Sequence, residues 1–183
     1  MRFVTLILVT LVAVSCKSEG EIAPRQARKI IENHLANSPL YETGNFNTYK
    51  QKLDSNKDHV LLNSLETLAD NGLIEINNEK TRKKWFSKDT VLILSPMLTK
   101  AALPYVVKHD KNSVTVKTIV YELNDKDIVL EKNSNKTAVC TAVLDKEKTP
   151  FYEFGKDPHP NHQFITRKFR LKYDEKSGWK VVK

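Results

Sequence analysis

Glycine is scarce in this chain: five among 183 residues, each standing alone. A Gly-rich loop that cradles phosphate has nothing to be built from, and collagen-like or low-complexity character is excluded. Two cysteines, Cys16 and Cys140, cannot make a disulfide-stapled scaffold. No Cys-x-x-Cys, His-Glu-x-x-His or Gly-x-Ser-x-Gly occurs, so the common metal, redox and nucleophile-elbow motifs are missing. Acidic residues are the minority sign, 22 against 30 Lys+Arg, which leaves a formal charge of +8. With 40% hydrophobic and 28% charged residues, the chain is too apolar for disorder and too polar for several membrane spans. Its length fits one domain or two very small ones.

The one long apolar run lies at the start. Met1 to Cys16 reads MRFVTLILVTLVAVSC, with Arg2 followed by apolar residues and threonines from Phe3 to Val14. About twelve such residues cannot cross a ~30 Å bilayer core, which needs ~20, but they suit the apolar part of a secretory signal. The ending Ala13-Val14-Ser15-Cys16 resembles the lipobox of bacterial lipoproteins. That resemblance implies removal of residues 1–15, acylation of Cys16 and attachment to the envelope through the lipid. Residues 16–23 would then be a polar, lipidated tether. Lys17 after the cysteine implies, by the same resemblance, export to the outer membrane. An ordinary signal peptide cut after Ser15, with Cys16 left as a free thiol, is the competing reading.

Beyond the tether, Pro24 suits the first turn of a helix. Ala27, Ile30, Ile31, His34 and Leu35 share one helical face, and Asn37-Ser38-Pro39 ends it. Leu40 to Asp58 reads as irregular, with Gly44 a breaker and a short helix around Phe46 to Leu53. Asp58 is placed to cap a second helix carrying Leu61, Leu62, Leu65, Leu68 and Ala69. Asn71-Gly72 closes it and Leu73-Ile74-Glu75-Ile76 starts a strand. Strands are expected at Trp85-Phe86 and Val91 to Leu94, then a short helix within Pro96 to Val107.

The segment Leu65 to Ile74 resembles the last helix and first wing strand of winged-helix domains. From Ser113 the period becomes two, with strands over 114–120, 127–131, 137–144, 151–154, 165–173 and 179–182. Phe169, Leu171 and Tyr173 take one face of the longest repeat, and Lys168, Arg170 and Lys172 the other. The expected fold is α+β: a helical, winged-helix-like amino-terminal half over 24–108, then an antiparallel β meander over 109–183.

Little chemistry is concentrated anywhere. Asp157, His159 and His162 are closely spaced, but prolines flank them and no further ligand completes a metal set, so a solvated loop is the better reading. Cys140 sits among small and β-branched residues, as a buried strand thiol would. Lone carboxylates such as Glu66 and Glu75 have no partner for acid–base work. The densest basic stretch carries Lys80, Arg82, Lys83, Lys84 and Lys88 around Trp85 and Phe86. It is the candidate binding surface, for an acidic protein partner or anionic headgroups. Nucleic acid is disfavoured because a lipid-anchored chain lies outside the cytoplasm. The expected function is a non-catalytic binding or accessory role at the envelope, with no cofactor and no metal. The alternative is an immunity or inhibitor lipoprotein that neutralises an envelope-acting toxin or lysin.

Overall fold

The computed structural model describes residues 20–83, 90–126 and 128–182, with side chains left out at 78–83. The order is α1 (Pro24–Asn37), β1 (Leu40–Asn47), β2 (Gln51–Asp54), α2 (His59–Asp70), β3 (Ile74–Lys83), β4 (Thr90–Leu98), a 3₁₀ turn (Lys100–Tyr105), β5 (Val106–His109), β6 (Ser113–Leu123), β7 (Val129–Ser134), β8 (Thr137–Lys148), a second 3₁₀ turn (Tyr152–Phe154), β9 (Phe164–Asp174) and β10 (Gly178–Val182).

The helical amino-terminal half is overturned. Strands hold about half of the described residues and helices less than a quarter. The first half alone contributes β1 to β5. A seven-stranded antiparallel sheet runs β1-β6-β8-β9-β10, with β5 also on β6 and β7 also on β8. A smaller sheet is ordered β2-β4-β3. The helices cover these sheets rather than forming a bundle, which removes the winged-helix arrangement.

Local reasons for the misreading are visible. The stretch read as irregular is β1 and β2. Gly44 does not break β1; it lies opposite Val116 of β6, and the bulge between Glu42 and Thr43 disturbs the alternation that would have marked a strand. Asp58 stands at the first position before α2, but its carboxylate accepts from the Asp54 backbone N–H at 2.7 Å instead of capping the helix. The strand expected over 151–154 is instead the 3₁₀ turn Tyr152–Phe154, with Phe151 just before it. Gly72 does close α2, at φ +68, where glycine carries no Cβ penalty.

Two cores result, and β6 is a wall of both. Ile119 and Tyr121 on one face join the core under α1, with Ile31, Leu35, Cys140, Phe169, Leu171 and Trp179. Val114 and Val116 on the other face join the core under α2, with Phe46, Leu65, Leu68, Leu94 and Phe151. Strand alternation produces this division directly, because successive side chains leave opposite faces. α1 presents Ala27, Ile31 and Leu35, one turn apart, to the first core. Arg28 fastens it to the turn before β7, donating to the carbonyls of Asn124 and Lys126 at 2.9 and 3.0 Å. Every buried residue of both cores lies between Ile22 and Trp179, so a chain starting at Lys17 keeps all of them.

Candidate functional site

The large sheet curls, so that β9 and β10 come round toward β1 and β5. β10 pairs only with residues 170–174 of β9, leaving residues 164–169 without a strand on that side. At this incomplete seam, beside the end of α1, lies an open basin of about 920 Å³. Its apolar wall is Leu40, Val106, Val107, Phe169, Val181 and Val182. Leu40, Phe169 and Val181 also belong to or pack on the α1 core, so the basin is the uncovered end of that core. Tyr41 and Val107 are more than a third exposed there.

The polar wall is cationic. Lys117, Arg167, Lys168 and Arg170 line the basin, together with His34. Strand alternation puts Arg167 on the same face as Phe169, toward α1, and Lys168 and Arg170 on the other. The Lys117 ammonium is steered by the Pro104 carbonyl at 2.9 Å and lies 5.5 Å from the centre of the Tyr41 ring. His34 meets the Phe169 ring edge-on at 6.3 Å. Among the described residues, none of the fourteen that line the basin is acidic. A concave surface with an apolar wall and unopposed positive charge selects anions.

The positions expected from sequence fall elsewhere. Cys16 and the rest of the signal and lipid attachment lie outside the described residues, as do Lys84, Trp85 and Lys88. Lys80, Arg82 and Lys83 are on β3, opposite Ile93, Val91 and Thr90 of β4. His34, on the helical face expected from sequence, meets Phe169 and also borders the basin. Cys140 is fully buried, and burial pushes its thiol up to about 11. At 155–162, the rings of His159 and His162 stack at 5.8 Å, while Asp157 is engaged by Lys146, Tyr152 and the His159 N–H. The Lys146 ammonium holds the Asp157 carboxyl below the usual carboxylate range.

Arg167 and Lys117 were missed in the sequence. The alternation that assigned Phe169 and Leu171 to one face, carried back two residues, places Arg167 with them. Nothing local marks Lys117, Tyr41 or Val107, which meet because β1 and β5 both pair with β6, and it is the curl of the sheet that brings Arg167 to them. Comparison with protein-family models, with curated proteins and with solved structures gave no match.

Proposed function

We propose that the protein is a lipid-anchored, non-catalytic binding protein of the bacterial envelope, with the basin beside His34 as its ligand site. One observation carries the binding site: four Lys and Arg side chains line the basin beside its apolar residues, with no carboxylate among the lining residues. The anchor rests on the apolar run ending at Cys16.

Tether and basin lie at opposite ends of α1. Gly20 abuts the Asn135 backbone at the β7–β8 turn, whereas His34 and Ser38 border the basin at the far end of the helix. A helix rises ~1.5 Å per residue, so α1 separates them by roughly 20 Å. Four residues link Cys16 to Gly20, a reach of at most ~14 Å. A lipid on Cys16 would therefore hold the tethered end near the bilayer and present the basin away from it.

The test uses the full chain purified from envelopes, as wild type and as Arg167→Glu with Arg170→Glu. Native mass spectrometry should find anionic material retained by the wild type and lost from the double variant. Equal retention by both would remove the basin as the binding site.

A further inference from the structure

We infer that the basin's ligand is an anionic amphiphile carrying one acyl chain, its carboxylate or phosphate headgroup held by Arg167 and Lys117 and its chain laid on Val107, Phe169 and Val181. This rests on the basin being the binding site and adds what it binds.

Three features select this class. The floor is continuous with the α1 core, so an acyl chain entering there meets side chains that are already dry on one side. Phe169 is 5% exposed, and Leu40 and Val181 are half-buried around it. Positive charge occurs on both faces of β9, which lets a headgroup be met from the α1 side by Arg167 and from outside by Arg170. The Arg167 guanidinium has no hydrogen-bonding or ion-pair partner among the described residues, so its fork of donors is available.

An extended acidic peptide added to the free edge of β9 is the rival occupant. The edge is built against it. Lys168, on the unpaired stretch, is the kind of outward charge that opposes strand addition, whereas Arg170 is already opposite Val182 of β10. An acyl chain would also cover the exposed Tyr41 and Val107 of the basin wall. The headgroup chemistry is shared by free fatty acids and lysophospholipids, and the probes separate the two.

The experiment uses the chain from Lys17 onward, which keeps both cores. It is titrated by calorimetry, below micelle-forming concentrations, with palmitate, with palmitoyl lysophosphatidylglycerol, with neutral monopalmitoylglycerol and with inorganic phosphate. Either anionic amphiphile should bind at one per chain, and the neutral amphiphile and bare phosphate at least ~10-fold more weakly, a step of about 1.4 kcal/mol. Tighter palmitate identifies fatty acids as the source; tighter lysophosphatidylglycerol identifies lysophospholipid. Shortening the chain by two carbons should weaken binding by up to about 15-fold, as removal of two buried methylenes requires. Arg167→Glu should weaken the anionic probes by about ten-fold at an unchanged melting temperature. Val107→Glu, at a second exposed position, should do the same.

Phosphate binding as tightly as the lysolipid overturns the amphiphile while leaving an anion site in the basin. So does a peptide of alternating glutamate and valine that binds when no amphiphile does. No binding by any probe, or equal binding to wild type and both variants, also overturns it. Failure of the basin itself is read independently, from material retained equally by the full-length wild type and double variant.

Discussion

Lys146 and Asp157 form an ion pair, 2.8 Å from Nζ to Oδ1, with side chains only 3% and 6% exposed. Tyr152 donates its hydroxyl to the same carboxylate at 3.1 Å, and the His159 N–H donates at 2.9 Å. Lys146 also donates to the His159 carbonyl. A loop of prolines and histidines is thus tied back to β8 by one ammonium. The other ion pairs among the described residues keep an exposed partner, where solvent screening leaves them little net value.

The pair predicts an acid limb in stability. Its hydrogen bond to Lys146 lowers the folded-state pKa of Asp157, so the unfolded chain binds the proton first as pH falls. The contribution is complete above the unfolded value of about 3.9 and is lost as pH drops through the folded one. Asp157→Asn should lower the melting temperature near neutral pH, because Lys146 loses its counter-charge. It should also flatten the fall below about pH 4. Parallel acid limbs for wild type and variant would show that other carboxylates carry it.

Trp179 tests the edge of the α1 core. Its ring packs 5.7 Å from Tyr173 and is 9% exposed, yet its indole N–H is buried with no acceptor among the described residues. Trp179→Ala should cost roughly 3–5 kcal/mol, a large share of a small domain's ~5–15 kcal/mol. Trp179→Phe should be far milder, since it removes an orphan donor whose burial costs roughly 1–3 kcal/mol. Denaturant melts of both variants decide this; a phenylalanine as damaging as alanine would mean the indole N–H has a partner.

Gly44 makes the closest approach between β1 and the loop after β8. A Cβ there would lie 2.2 Å from the Phe154 carbonyl oxygen and 2.8 Å from the Gly155 Cα, all backbone. Gly44→Ala must move the strand or the turn, and overpacking of this kind costs roughly 1–3 kcal/mol or more. At Gly72 a Cβ meets nothing, so the strain comes only from φ +68. Gly44→Ala should therefore lower the melting temperature more than Gly72→Ala; the reverse order would show that the Phe154 turn yields.

These residues also show what the sequence could reveal. The β9 repeat from Ile165 to Tyr173 is legible because one face is dry and the other wet, and periodicity reports that directly. The leucines of α2 and the Gly72 stop are legible for the same local reason. β1 is not. Only Phe46 is buried along it, a bulge breaks its alternation, and its strand character comes from pairing with β6 some seventy residues later. The basin is less legible still. Tyr41, Val107, Lys117 and Arg167 come from four strands, and only Val107 and Lys117 are near each other in sequence. The basic stretch over 80–88 is legible because its charges are contiguous, whereas the basin depends on convergence.

The Tyr121 phenol provides a spectroscopic check on how closed the α1 core is. It is 5% exposed and donates to Glu42 Oε1 at 3.1 Å. Burial, then the hydrogen bond and charge of Glu42, push it up to about 12. The sign follows: the folded state resists losing this proton, so the stabilisation is full below the unfolded value of about 10 and fades as pH rises toward 12. In a difference-absorbance titration of the chain from Lys17, a tyrosine step should appear near pH 12. Tyr121→Phe should abolish that step. Glu42→Gln should bring it to lower pH, because the phenolate would no longer face a carboxylate. A titration of the folded chain that Tyr121→Phe leaves unchanged near pH 12 would mean that water reaches Tyr121, and that the core under α1 is open well beyond the basin.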